Sequence, residues 1–438
     1  MGKTDWKSKA KALKKKLLKR EFSAATKAKA KPASPLAPAA FPTLPPIRGV
    51  EFAAVEAGVR YQNRKDVMLV RLAPGTTIAG AFTRSTTRSA CVRDCQSKLG
   101  IKTGATGAAI IVNSGNSNAF TGKLGDQAVA AVTGAVAEAL SIPPSRVFSS
   151  STGVIGEALP FEKITARIPD LVAELGEEAI KMAAHAMMTT DTFPKGAAAT
   201  VQGDGGMIHI AGIAKGSGMI APDMATMLVY LFTDAKIGAG PLQKILSRNV
   251  DSTFNSITVD SDTSTSDTLL LAATGQSDAA AVKGPVLRAF ETALHGVMRD
   301  LALQVVRDGE GATKLVEVRV TGATTDEDAA KAAFAIANSP LVKTAIAGED
   351  PNWGRIVAAI GKSGAAAERD LLSIRFGEVL VANNGWRNPD YKEEDGASYM
   401  QQQELLIHVD LGLGKAQRSV WTCDLTARYV EINADYRS

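Results

Sequence analysis

A chain of 438 residues with 45% hydrophobic content is long enough to bury a large core, as two domains or one large one. It has no apolar run of the roughly 18–20 residues that a membrane span needs, and its three cysteines, Cys91, Cys95 and Cys423, form no disulfide framework and suit a reducing compartment. The formal net charge of +5 comes from residues 1–31, where twelve Lys or Arg face only Asp5 and Glu21, so the remainder is net acidic and gives no reason to expect a nucleic-acid-binding core.

In chain order, residues 1–45 read as a Lys-rich helical stretch followed by an Ala/Pro linker. The segment is too polar for a secretory signal and lacks the apolar core of roughly 7–15 residues that one requires. Its cations are nearly all Lys, unlike an Arg-rich mitochondrial presequence, and it is expected to be a disordered or loosely helical tail. From Val50 onward, AAIIVNSG, MIHIAGIAKG, MLVYLFTD, TLLLAATG, LVEVRVTG and ELLIHVDLGLG have strand character. Helices are expected at GDQAVAAVTGAVAEAL, GEEAIKMAAHAM, PLQKILSRNV, VLRAFETALHGVMRDLALQVV and DEDAAKAAFAIANS. The two kinds interleave with no fixed-period repeat, so the class is mixed α and β.

The familiar signatures fail one by one. His185, His209, His295 and His408 show no metal-ligand spacing, and Cys91-x-x-x-Cys95 matches no common zinc pattern, so no metal site is expected. A phosphate loop ending at Gly361-Lys362-Ser363 would need glycine where Ile356 stands. Gly412 and Gly414 lack the third glycine and the distant acid of a dinucleotide fingerprint, and no Gly-x-Ser-x-Gly elbow occurs.

What remains is a set of dense small-polar clusters. Residues 113–118 (NSGNSN) follow the strand AAIIV, 149–153 (SSSTG) precede VIGEALP, 189–192 (TTDT) end a helix, and 260–268 (DSDTSTSDT) lead into an apolar run. Each alone reads as turn or cap chemistry. Four of them, each at the end of a regular element, suggest loops converging on a polar pocket.

Thr226 raises a sharper question, because it sits where the Gly/Pro-punctuated loop KGSGMIAPDMA meets the run MLVYLF. Cutting the Ala225–Thr226 bond would give Thr226 a free α-amine beside its own Oγ. Such an amine titrates near pH ~7.7–8.0 and can take the hydroxyl proton, the threonine form of N-terminal nucleophile activation. On spacing alone, an ordinary loop-to-strand threonine remains the favoured reading.

KGSGMIAPDMATML resembles the self-cleavage segment of the ornithine acetyltransferase family of arginine biosynthesis, the bifunctional glutamate N-acetyltransferase/amino-acid acetyltransferases. The resemblance extends in order through NSGNSNAFTG, SSSTGVIGEALP, TTDTFPK, FNSITVDSDTSTSDT, AIAGEDPNWGRI and CDLTARYVEINADYRS, covering about residues 45–438. It implies a proenzyme that cuts itself between Ala225 and Thr226. After a tail of 1–45, residues 46–225 would belong to an α chain and 226–438 to a β chain. Thr226 would carry the acetyl group from N2-acetyl-L-ornithine to L-glutamate in a ping-pong reaction, and some members also accept acetyl-CoA. Thr152 and Gly153 would form the oxyanion hole. Substrate contacts would come from Thr189 with Thr190, Lys215, Thr226, Glu349, Asn433 and Ser438, with Lys215 meeting an α-carboxylate and Glu349 the ornithine δ-ammonium.

The resemblance further implies a helix/sheet/sheet/helix sandwich shared with self-cleaving aminopeptidases, assembly as two α and two β chains, a cytoplasmic setting and no cofactor, nucleic acid or membrane. Ser438 stands where the family commonly ends in Thr, Ser117 and Phe120 vary the NSGNSNAFTG motif, and the basic tail is outside the pattern. Two rivals share these residues. A self-cleaving aminopeptidase would release its acyl group to water, although its nucleophile is typically Ser. A catalytically silent domain tethered by the tail to an acidic partner would have no use for Thr226, Thr152, Gly153 and Lys215.

Overall fold

The computed structural model describes residues 32–101, 105–221 and 227–434. Among these, the strands form three sheets. The first takes the order β1-β2-β4-β5, with β1 (Val50–Val55), β2 (Val67–Leu72) and β4 (Ala108–Asn116) antiparallel and β5 (Val147–Val154) parallel to β4. The second runs β3-β9-β8-β7-β6: β3 (Thr77–Phe82), β9 (Thr268–Ala273), β8 (Leu228–Thr233), β7 (Gly206–Lys215) and β6 (Lys195–Gly203). The third orders β13 (Trp386–Arg387), β12 (Val379–Asn383), β11 (Ser373–Phe376), β14 (Glu404–Asp410), β10 (Leu315–Ala323) and β15 (Ala416–Cys423).

The period-2 alternation of the strands builds the layers. In β8, Leu228, Tyr230 and Phe232 point to a core shared with Met68, Val70, Ile110 and Val112 of the first sheet. Val229 and Leu231 point the other way, to the helices Ala239–Val250 and Gly284–Arg307. Likewise Ala109 and Ile111 of β4 face the helices Gly122–Leu140 and Ile168–Ala173. A strand buried on both faces must be apolar throughout, which is why MLVYLF reads as an unbroken run. The result is the expected helix/sheet/sheet/helix sandwich. Where the two sheets meet, Phe52 and Phe232 stack edge to face with centroids 5.1 Å apart.

The third sheet packs Val316, Val318 and Val320 against the helices Asp326–Ala337, Pro340–Ala347 and Trp353–Gly361. Thr325 begins the first of these by accepting the Asp328 N–H at 3.1 Å, and three acids in its first turn oppose the helix dipole. Leu315, Trp421 and Cys423 join the core beneath Gly284–Arg307, so the third sheet grows from the sandwich.

Two expectations change. Ser149, Ser150 and Ser151 are not loop residues but lie inside β5, paired with β4, and Ser151 Oγ donates to Asn113 Oδ1 at 2.6 Å. The compact unit also begins at Ser34, ahead of the expected boundary at 45. The Ala/Pro linker carries enough apolar surface to dock: Phe41 and Leu44 pack against the core between the sheets. Ser34 Oγ donates to the Arg307 carbonyl at 2.6 Å. The Lys-rich residues 1–31 lie outside the described residues.

Phe232 is fully buried, so Phe232→Ala should cost about 3–5 kcal/mol in chemical denaturation. The exposed Met207→Ala should stay within about 0.5 kcal/mol in the same experiment.

Candidate active site

The site grows from the ends of strands that are apolar in the middle. β4 and β5 run parallel, so their polar ends, 113–116 and 151–153, emerge together. The register slips at Gly115/Asn116, and Gly153 adopts φ +129° against that kink. A Cβ on Gly153 would lie 2.3 Å from the Gly115 carbonyl carbon, so only glycine lets the two backbones approach. Such an irregularity re-aims its neighbours, here Thr152. β7 ends at Lys215, whose Nζ donates to Thr152 Oγ1 at 3.1 Å, with both residues buried. A protonated lysine has only donors, so Thr152 Oγ1 accepts in this pair and its own O–H is left to donate to a third group.

Thr152 and Gly153 open onto a cleft lined by side chains from several elements. Its walls bring together all four small-polar clusters: Ser117, Thr152 with Gly153, Thr189 with Thr190, and residues 264–266. Lys215 lies among them. The convergence expected from the sequence is therefore present, although two of the four clusters are strand ends.

The C-terminal helix Ala427–Ala434 closes one side. Asn433 Nδ2 donates to Glu310 Oε2 at 2.7 Å, and both residues line the cleft. The Tyr429 O–H donates to Asp260 Oδ2 at 3.3 Å, while Asp260 also accepts the Met219 and Ile220 N–H groups at 2.6 and 2.9 Å. Gly311, at φ +75°, permits this approach, since a Cβ there would sit 2.8 Å from the Tyr429 nitrogen.

Of the sequence candidates, Thr152, Gly153, Thr189, Thr190, Lys215 and Asn433 all line the cleft. Glu349 does not: it pairs instead with Lys314 Nζ at 3.0 Å, and Lys314 also donates to the Gln402 carbonyl at 3.2 Å. The carboxylate that reaches the cleft is Glu310, which the sequence reading missed. A signal was available, because Asp308-Gly309-Glu310-Gly311 sets an acid between two glycines just past the long helix Gly284–Arg307. Ala225, Thr226 and Ser438 lie outside the described residues. Both flanks of 222–226 are tied to one polar loop. The Met227 N–H donates to Asp267 Oδ1 at 2.9 Å, and the Val259 N–H donates to the Ile220 carbonyl at 2.8 Å.

Several charges around the cleft are buried. Burial pushes the Lys215 ammonium below its ordinary value, against the pull of Asp191, Asp267 and Glu310, while Lys195 adds to the lowering. Burial raises the Asp267 carboxyl well above its usual range, offset in part by the Met227 N–H and by Lys215. Burial alone would raise Asp191, but the Lys195 and Lys215 ammonium groups override it and hold the carboxyl below the usual range.

A hydroxyl and a glycine at the strand ends, a buried cation beside them and a carboxylate across the cleft define a layered α/β enzyme whose small polar cleft carries charges of both signs. The chain belongs to the ArgJ family, whose model matches residues 51–438. It is 66% identical over 407 residues to the arginine biosynthesis bifunctional protein ArgJ of Ruegeria pomeroyi, covering 92% of this chain and 98% of that protein. With the protein of the same name from Nitrobacter winogradskyi it shares 53% identity over 414 residues, 92% of this chain and 99% of the other. Among solved structures, the bifunctional protein ArgJ of Bacillus halodurans is 42% identical with a TM-score of 0.46, over 48% of this chain and 99% of that one. The ornithine acetyltransferase of Mycobacterium tuberculosis, solved with ornithine, is 33% identical with a TM-score of 0.34, over 41% and 93%.

Gly153→Ala should destabilise the fold by more than about 1 kcal/mol in chemical denaturation, because the β4–β5 contact has no room for a methyl group and φ is positive.

Proposed function

We propose that this chain is a self-cleaving acetyltransferase of arginine biosynthesis that moves the acetyl group of N2-acetyl-L-ornithine to L-glutamate through an acetyl ester on Thr226. The observation that carries the reading is the Lys215 Nζ to Thr152 Oγ1 hydrogen bond at the cleft, because it leaves the Thr152 O–H as a donor. The names of the relatives support the pathway and the bifunctional class.

In maturation, Thr226 Oγ attacks the Ala225 carbonyl carbon, the C–N bond breaks, and water hydrolyses the resulting ester. Ala225 keeps a carboxylate and Thr226 a free α-amine. In transfer, that amine takes the proton from Thr226 Oγ as the oxygen attacks the acetyl carbonyl of the donor. The Thr152 hydroxyl and the Gly153 N–H receive the developing oxyanion, a contribution typically of ~2.7–4 kcal/mol per donor. Collapse breaks the C–N2 bond, and the α-ammonium returns its proton to the leaving amine. The α-amine of glutamate then attacks the acetyl ester and regenerates Thr226.

Lys215 takes the substrate α-carboxylate, and Glu310, held by Asn433, takes the side-chain ammonium of ornithine. Thr189 and Thr190 complete the wall, and the family resemblance adds Ser438 as a substrate contact. The matured α and β chains assemble as two of each in the cytoplasm. Among the described residues, no helix is long and apolar enough to cross a membrane.

Denaturing electrophoresis of the purified protein should show two fragments, and Thr226→Ala a single full-length chain without transferase activity. Intact mass of active enzyme showing an unbroken polypeptide would overturn the reading. Thr152→Ala should lower kcat for acetyl transfer by about 10²–10³ with little change in unfolding midpoint. Acetyl release from N2-acetyl-L-ornithine that ignores glutamate would instead identify a hydrolase. Glutamate acetylation with acetyl-CoA as sole donor tests whether Thr226 is also loaded from a thioester.

A further inference from the structure

Asp191 is the group next to the cleft that the proposed chemistry leaves unused. It lies in the loop between the helix Ile180–Ala186 and β6, with its side chain fully buried. Oδ1 accepts from Lys195 Nζ at 2.7 Å and from the Gly216 N–H at 2.7 Å, and Oδ2 accepts from the Thr189 N–H at 2.9 Å. Gly216 follows Lys215 directly, and Thr189 is a wall of the cleft. One carboxylate therefore holds two substrate-facing segments that come from different parts of the chain.

The carboxylate is itself held. Lys195 Nζ, also fully buried, reaches Asp308 Oδ2 at 2.6 Å. The Asp308 carboxylate accepts the Thr192 N–H at 2.9 Å, and its main-chain oxygen accepts from Ser217 Oγ at 2.6 Å. Thus 189–192, 215–217 and the start of the Glu310 loop are linked through a single ammonium.

We infer that Asp191, anchored by Lys195, is a positioning residue for acetyl transfer that holds Lys215 both in place and in its cationic form. This rests on the reading of Lys215 as the cation that meets the substrate. The charged groups facing Lys215 are Asp191, Lys195, Asp267 and Glu310, and only Asp191 among them also bonds the neighbouring Gly216 peptide. The consequence of losing the cation is specific. A neutral amine at Lys215 can accept the Thr152 O–H, which turns that hydroxyl away from the oxyanion. Burial lowers the Lys215 titration most and Asp191 is the largest of the carboxylates that raise it, so losing the Asp191 charge moves this reversal toward acid.

The test is the pH profile of kcat/KM for N2-acetyl-L-ornithine at saturating glutamate. Removing the negative charge lowers the pH at which Lys215 loses its proton. Asp191→Asn should therefore move the alkaline limb down by about one pH unit, with the activity gap narrowing toward acid. A profile that superimposes on the wild type after scaling overturns the inference. Should Asp191→Asn not accumulate as folded protein, Asp191→Glu decides the matter. Retained charge on displaced oxygens should leave the alkaline limb in place while raising KM several-fold, and an unchanged KM overturns the positioning role. Wild-type enzyme that transfers no acetyl group sinks the functional reading, whereas a transferring wild type with an unshifted Asp191→Asn profile sinks this inference alone.

Discussion

Lys195 brings a full positive charge into a place with no exposed surface, and two carboxylates, Asp191 and Asp308, answer it. Charges cannot be buried cheaply, so the arrangement is stable only when every partner is in position. Burial would lower the Lys195 ammonium, but the two carboxylates lift it above its ordinary value. Asp191 lies on the loop just before the strand that Lys195 begins, whereas Asp308 sits at a helix end 113 residues further on. Any arrangement that pulled one of them away would strand a charge in apolar surroundings. The geometry of the neighbouring cleft follows, because Thr189, Gly216 and Ser217 take their hydrogen bonds from this cluster.

The sandwich explains why such a cluster can sit next to a reaction site. Between the sheets, Phe52, Tyr230 and Phe232 pack in a fully buried apolar layer. At one end of the same layer, the strands switch from apolar to small-polar residues, AAIIV giving way to NSGN and VF to SSSTG. Antiparallel pairing of β7 with β8, and parallel pairing of β8 with β9, places the C-terminal end of β7 beside the N-terminal ends of the other two. Lys215, the residue after Thr226 and the loop 260–268 thereby meet at one edge. The apolar layer supplies rigidity and low dielectric, and its polar margin supplies donors.

Much of this was legible in the sequence because period and punctuation are local properties. The runs in β4, β7, β8, β9, β10 and β14 declared themselves, and so did the long helices. β5 did not, since Ser149, Ser150 and Ser151 carry turn propensity and only pairing with β4 makes them a strand. The density of Ser, Thr, Asn and Asp at element ends announced a polar cleft, and the family motifs supplied Thr152, Lys215 and Asn433. The glycines around Glu310 hinted at a special turn, but the choice between Glu310 and Glu349 depends on which acid the fold turns into the cleft and which one Lys314 captures. The Lys195 cluster was equally hidden, because Asp308 lies 113 residues from Lys195 and meets it only once the chain has folded.

The middle sheet is stitched from both sides of residue 226: β3, β6 and β7 precede it, and β8 and β9 follow. Severing the chain there would leave the two pieces joined by the ladders β7–β8 and β3–β9 and by the aromatic contact across the sandwich. Neither piece would own the whole of the middle sheet. The fragments would thus be partners that cannot be exchanged between molecules or recovered separately without dismantling the core, and dilution alone would not part them.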